Sequence, residues 1–372
     1  MQVISKSQPA VAEPAAFTAR AIDIGFGYTK FTRGHFQGGS AIDCDAFPSV
    51  APSVVPAAHE LSSGGALREQ SSVNVVVEGQ TYAVGPDALR AAGGQFRRFL
   101  DESFFASPQY LALLRGALYY MDLPQDRSVI DYLVVGLPTN VYLNGDSRSR
   151  VGSRFVGDHR IPSRGGSASE RVVNVRNVHV LPQAMGALIS QCEAQRGLGR
   201  LAAETHLVVD VGFGTMLWMV AEGQTPNPSR SGQTMGGVAT LLQAIAAHLG
   251  VGLKDNPQVM NRLDRALRDE SYELKLNGKT VDIAPYRKKL QGVLAEHLAV
   301  LTRSLGDFTD IDNVYLCGGG GIHYLPLLQE TFRNYRLFCN PDQARFENLR
   351  GFQMVAERQA GKQAQSRFEV EA

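Results

Sequence analysis

The sequence predicts an α/β fold made of two similar halves. Its strongest sign is a phrase that occurs twice, half the chain apart, as Asp23-Ile24-Gly25-Phe26-Gly27 and as Asp210-Val211-Gly212-Phe213-Gly214. Each copy follows a short apolar run and leads into another extended stretch, so each reads as strand, glycine turn, strand. A second sign is the run Asn313-Val314-Tyr315-Leu316-Cys317, which passes through Gly318, Gly319, Gly320 and Gly321 into a helix at Ile322. That arrangement puts bare backbone at the crevice beyond a strand end, where ligands bind in open α/β sheets.

One such glycine turn is an ordinary hairpin. Two on matching strands of two halves point to a pair of phosphate loops closing on one nucleotide from opposite sides. Glycines let backbone N–H groups approach an anion, and an Asp at the strand end can hold a metal ion or its water shell.

The chain has 372 residues, of which 44% are hydrophobic, enough for two domains of ordinary size. No run approaches the roughly 18 apolar residues of a membrane span. The first 16 residues, broken by Lys6, Pro9, Glu13 and Pro14, read as a flexible tail rather than a signal peptide. Cys44, Cys192, Cys317 and Cys339 form no CxxC pair, which argues against a zinc site or disulfide framework and suits a cytoplasmic protein. A net charge of +1 offers no general attraction to DNA or to a membrane surface, so a DNA partner would need a local patch or an adaptor.

Taken along the chain, Tyr28 to Thr32 continue the first turn as a strand, and a loop rich in Pro, Ser, Gly and Ala follows from Pro48 to Gly65. Residues 72–77 and 81–84 form a hairpin, with a helix near Pro86 to Ala92. Tyr110, Leu111, Leu113, Leu114, Ala117, Leu118 and Met121 share a helix face, and residues 132–138 make a buried strand. Between Asn144 and Arg171 six arginines (148, 150, 154, 160, 164 and 171) sit among glycines and serines, which predicts a solvated hairpin or mobile loop, or else a contact patch for a subunit or polyanion. Residues 172–180 alternate as a strand, followed by a helix over 182–195 that crosses to the second half. There the second glycine turn continues as a strand through Ala221, followed by a loop, an apolar helix over 238–249, a polar stretch with a hairpin at Asn277-Gly278, and a long helix over 285–305. His179, His206 and His248 have no ligand spacing and read as structural.

In order, residues 21–30, 181–187, 207–215 and 314–322 resemble the first phosphate loop, first connector, second phosphate loop and adenosine loop of the actin/Hsp70/sugar-kinase superfamily. Within it the chain is most similar to the plasmid-segregation actins of the ParM/StbA group, through Val134-Val135-Gly136-Leu137-Pro138, Val84-Gly85-Pro86-Asp87-Ala88 and the second connector from Asn340-Pro341 to Gly351-Phe352. Phe47-Pro48-Ser49 and the two Phe-Gly loops are also similar to the actin-like member of the PRTRC gene cluster. The resemblance spans about residues 20–358. It implies an actin-like ATPase fold of two related ribonuclease-H-like domains with a nucleotide cleft between them. Domain I would cover 19–182, with a small inserted subdomain at about 48–92, and domain II 183–340. A C-terminal helix over 341–360 would return to domain I, between tails at 1–18 and 361–372.

The same resemblance implies roles. Gly25, Phe26 and Gly27 would offer N–H groups to the β-phosphate, with Lys30 as a point charge. Asp23 and Asp210 would organise hydrated Mg2+. Gly212, Phe213, Gly214 and Thr215 would hold the γ-phosphate, and Gly318, Gly319, Gly320, Gly321 and Ile322 would floor the base and ribose. Gln183 falls at the position that places the attacking water, where segregation actins often carry Glu; a neutral amide orients water but takes no proton, which predicts slow hydrolysis. Tyr28 departs from the small or amide residues common in this loop and would alter base or phosphate access.

The expected activity is an ATPase that forms filaments with ATP, or GTP as the alternative, in plasmid or mobile-element segregation through a DNA-bound adaptor. A non-filamentous nucleotide-sensing scaffold is the second reading. A small-molecule kinase would need a general base, for which Asp146, Asp158 and Glu170 have no kinase context. An Hsp70-type chaperone would need a substrate-binding domain beyond residue 360.

Overall fold

Each copy of the repeated phrase closes a tight hairpin near the centre of its own sheet. The computed structural model describes residues 17–35, 41–54, 71–91, 101–121, 123, 128–164, 169–195 and 197–371. The tail expected at 1–16, residues 55–65 of the expected surface loop, residue 92 and positions 165–168 of the arginine-rich stretch lie outside the described residues.

The first sheet opens with β1 (Ala19–Ile24) and β2 (Tyr28–His35), antiparallel across the first glycine turn, and β3 (Ile42–Pro48) pairs antiparallel with β2. The inserted hairpin is β4 (Val73–Val77) and β5 (Gln80–Val84), followed by the short helix α1 (Ala88–Ala91). Helix α2 (Pro108–Tyr120) begins at Ser107, whose hydroxyl accepts the Tyr110 N–H at 3.2 Å, with Pro108 where a missing N–H costs nothing. Then come β6 (Val129–Leu137), α3 (Thr139–Leu143), α4 (Gly145–Phe155), β7 (Gly157–Pro162) and β8 (Glu170–Pro182), giving the order β3-β2-β1-β6-β8-β7.

The second half runs α5 (Gln183–Gln195), β9 (Thr205–Val211), β10 (Met216–Glu222), β11 (Thr225–Thr234), α6 (Val238–Leu249), α7 (Pro257–Arg268), the hairpin β12 (Glu273–Leu276) and β13 (Lys279–Asp282), and α8 (Arg287–Leu305). It ends with β14 (Asn313–Cys317), α9 (Gly321–Thr331), β15 (Arg336–Cys339) and α10 (Glu347–Glu371). Its sheet, β11-β10-β9-β14-β15, repeats the first five places of the other, β3-β2-β1-β6-β8, with the same antiparallel and parallel senses.

Four expectations need correction. The arginine-rich stretch is neither hairpin nor loop at its start: Asn144 caps α4 by accepting the Ser147 N–H, Val151 and Phe155 bury one face, Arg148 and Arg150 face water, and Arg154 donates to the Ala106 and Ser107 carbonyls. The loop expected after Ala221 is strand β11, whose Pro226 and Pro228 are tolerated because it lies at the sheet edge, with an irregular register against Trp218 and Val220. The polar stretch before Asn277 contains α7, started by Asn256, whose side chain accepts the Gln258 and Val259 N–H groups, and by Pro257. Helix α10 continues past Ala360 to Glu371. The predicted turn at Asn277-Gly278 has both residues at positive φ, +48° and +76°, which suits a two-residue hairpin loop.

Helix α2 covers one face of the first sheet, and α10 packs on β1, β2, β3 and β6. Helix α5 packs on β9, β10 and β14, while α6 to α9 fill the opposite face of the second sheet. Between the two sheets α5 and α10 cross at Gly186 and Gly351. A Cβ on Gly351 would fall 1.9 Å from the Gly186 carbonyl oxygen, so the backbones touch directly. Among the described residues, no helix is long and apolar enough to cross a membrane.

Candidate functional site

The two glycine turns have the same internal bond. Gly25 N–H donates to the Tyr28 carbonyl at 3.1 Å and Gly212 N–H to the Thr215 carbonyl at 2.9 Å. Both turns open onto one cavity of about 940 Å³ between the sheets. Asp23, Gly25, Phe26, Gly27, Tyr28, Lys30, Gln183, Asp210, Gly212, Phe213, Gly214, Thr215, Gly318, Gly319, Gly320 and Ile322 all line it. Gly321 is not part of the lining; it is buried as the first residue of α9, against Leu316.

On the first side, Asp23 is buried at the end of β1 and accepts two hydrogen bonds, from Lys30 Nζ at 2.8 Å and from Gln183 Nε2 at 2.7 Å. Burial alone would lower the Lys30 ammonium, but Asp23 and Asp210 outweigh it and hold the pKa above its ordinary value. Lys30 therefore stays charged. Phe26 turns inward, its ring 5.6 Å from Phe104 and 5.7 Å from Phe105.

On the second side, Asp210 accepts Asn348 Nδ2 at 2.7 Å, and burial pushes its carboxyl up against the opposing pull of Lys30. The N-terminus of α6 backs this turn: Val238 N–H donates to Gly212 O at 3.1 Å and Ala239 N–H to Phe213 O at 2.7 Å. The glycine segment after β14 meets the same Asp. Gly318 has φ +83°, and a Cβ there would fall 2.3 Å from Asp210 Oδ1, so only glycine fits. Cys317 is buried beside Asp210, which together with desolvation keeps its thiol well above its usual range and unreactive.

Asp23 and Asp210 are the pair on which a hydrated cation could rest; among the described residues no three His, Cys, Asp or Glu side chains gather as a direct cage. The structure also supplies residues that sequence reasoning missed. Tyr28 reaches α7, where its hydroxyl donates to Asp264 at 3.3 Å and accepts from Arg268 at 2.7 Å. Arg268 also pairs with Asp264, and Arg345 lies over the Tyr28 ring at 4.7 Å. The Asn256-Pro257 start of α7 was a readable signal. Asn348 and Arg345 fall within the second connector but carry no motif of their own. His206 and His248 bond main-chain carbonyls, at 3.1 and 2.7 Å.

A family model described as the actin-like proteins N-terminal domain matches residues 21–186, and one described as the archaeal actin homologue MreB-like C-terminal domain matches residues 208–330. Comparison with curated proteins gives no match. Among solved structures, the ADP complex of the archaeal actin homologue Ta0583 aligns at 18% identity with a TM-score of 0.70, covering 92% of this chain and 100% of that one. The actin-like protein Alp7A aligns at 14% identity and 0.70, covering 95% and 100%. The 15-stranded ParM filament from Clostridium botulinum aligns at 18% identity and 0.66, covering 92% and 100%. With its two halves matched in order by these two actin-family models, over residues 21–186 and 208–330, the chain belongs to the actin-like proteins.

Proposed function

We propose that this chain binds ATP, with GTP as the alternative, together with Mg2+ in the cavity between its glycine turns, polymerises head to tail in that state, and hydrolyses the nucleotide slowly. The observation that carries this is the convergence of both Asp-x-Gly-Phe-Gly turns, Lys30 and Gln183 on one cavity. Glycine N–H groups there suit phosphate oxygens, and heterologous contacts that do not close generate open filaments. The filament from Clostridium botulinum, which shares this fold, supports the self-association part of the reading. The setting would be cytoplasmic, in segregation of plasmid or mobile-element DNA through an adaptor, because the net charge of +1 gives the chain no general hold on DNA. The proposed division into domains I and II, at 182/183, would lie at the junction of β8 and α5.

Asp23 and Asp210 fit a cation that keeps its waters, since each carboxylate is already engaged by a side-chain donor yet retains lone pairs for water. The ion would supply charge neutralisation at the phosphates. Gln183 commits its amide nitrogen to Asp23, which leaves Oε1 to accept a hydrogen bond from a water. A neutral amide in that place orients the nucleophile without taking its proton. That also favours the second reading, a scaffold that binds nucleotide without turning it over.

The test is light scattering on adding Mg-ATP, with phosphate release followed in the same sample. Scattering that rises and then decays as phosphate appears supports the filament-forming ATPase. Bound, uncleaved nucleotide with flat scattering favours the scaffold.

A further inference from the structure

The cations of the cavity are not equally balanced. Lys30 is paired with Asp23, and Arg268 with Asp264. Arg345 makes no ion pair with a carboxylate among the described residues; its guanidinium lies over the rings of Tyr28, at 4.7 Å, and Phe346, at 5.1 Å. Ring faces hold a cation in place without neutralising it. Burial lowers the Arg345 pKa and nearby Arg268 adds to the effect, while Tyr28 and, from beyond ion-pair distance, the Asp264 and Asp45 carboxylates oppose it, and the guanidinium stays protonated.

Its location is fixed on two sides. Arg345 belongs to the short turn Ala344–Phe346, and the Ala344 carbonyl accepts the Gly318 N–H at 2.9 Å, which docks the turn on the glycine segment after β14. The Arg345 Cγ lies 3.9 Å from where a Cβ on Gly319 would stand. On the other side, the Tyr28 ring projects from the residue directly after the first glycine turn, and Arg345 is near enough to Lys30 to oppose its charge.

We propose that Arg345 is a counter-ion for a phosphate group of the bound nucleotide and that the Tyr28 ring is the platform positioning it. This rests on the nucleotide reading above. A planar guanidinium fork matches two phosphate oxygens, whereas a neutral nucleoside would leave the charge uncompensated.

The test is titration calorimetry of wild type, Arg345→Gln, Arg345→Lys and Tyr28→Leu with ADP and with adenosine, at several salt concentrations, with GDP and guanosine run in parallel. Arg345→Gln is expected to weaken diphosphate binding about tenfold or more and to flatten its salt dependence, while nucleoside binding changes less than about twofold. Arg345→Lys recovers part of the loss, and Tyr28→Leu reproduces part of it. Equal losses for diphosphate and nucleoside, or an Arg345→Gln protein with unchanged diphosphate affinity and salt slope, would overturn the proposal while leaving the nucleotide reading intact. A wild-type protein that binds neither diphosphate overturns both.

Discussion

Phe213 occupies the space that a side chain on Gly27 would need: a Cβ at Gly27 would fall 2.3 Å from the Phe213 Cβ. The two turns therefore approach each other across the cavity, while the Phe26 ring packs against Phe104 and Phe105 of the first half. Gly27→Ala is expected to push the turns apart and weaken ADP binding about tenfold, the lower end of what overpacking costs. Gly25→Ala, whose nearest neighbour would lie 3.5 Å away, costs less. Adding Phe213→Gly, which removes the clashing Cβ, to Gly27→Ala is expected to restore part of the binding, and a double-mutant cycle in ADP titrations without such coupling would contradict the contact as the cause.

Gln183→Ala removes both the bond to Asp23 and the amide oxygen facing the cavity. Single-turnover phosphate release is expected to fall at least about tenfold, in the range seen when a positioned group is lost. Gln183→Glu is not expected to give a stronger base at neutral pH, because a second carboxylate within hydrogen-bond reach of Asp23 would hold its proton. A rate unchanged in Gln183→Ala would remove the residue from the reaction.

The crossing of α5 and α10 allows no side chain at Gly351, so Gly351→Ala is expected to cost about 1–3 kcal/mol through overpacking. Calorimetry would read this as a melting temperature lowered by a few degrees. Gly361→Ala on the same helix meets nothing within 4 Å and serves as the control, with no loss.

His159 is buried with Nε2 donating to the Phe155 carbonyl at 2.9 Å, and burial lowers its pKa below the ordinary value. A depressed folded pKa means that the unfolded chain takes up the proton first. The contribution to stability is present above the unfolded pKa of about 6.5 and is lost as pH falls through the folded value. Chemical denaturation of wild type should show stability declining below about pH 6.5, and His159→Gln should flatten that limb. An identical slope in the variant would assign the acid sensitivity elsewhere.

The hairpins and central strands were legible because glycine turns and β-branched runs fix them locally. Strand β11 was not, because an edge strand facing water needs no apolar alternation and tolerates Pro226 and Pro228. Helix α4 was hidden by charge, since its buried face is only Val151 and Phe155 among arginines, whereas α7 carried a readable Asn256-Pro257 start and buried Val259, Leu263, Ala266 and Leu267 at helical spacing that the reading of a polar stretch passed over. In the site, the glycine turns and Gln183 could be read because motif and order carry them. Asp264, Arg268 and Arg345 could not, since only the packing of α7 and of the turn before α10 brings them to the cavity, nor could Asn348, which α10 carries to Asp210. That packing also ties the halves crosswise. Gln183 begins the helix on the second sheet but bonds Asp23 of the first, whereas Asn348 belongs to the helix on the first sheet and bonds Asp210 of the second.

The bare crossing of Gly186 and Gly351 has mechanical meaning. Beside that point the helices are tied, with Phe352 packed on Gly186 and the Ser190 hydroxyl donating to Glu347 at 2.6 Å, so relative motion of the halves is expected as a turn about the contact rather than a slide along it. In a six-stranded sheet a rim lies on the order of three strand spacings of about 4.8 Å from the middle. A turn of about 10° at the fulcrum would carry that rim by about 2.5 Å, so an angular change too small to disturb the core is geared up where one molecule would meet the next.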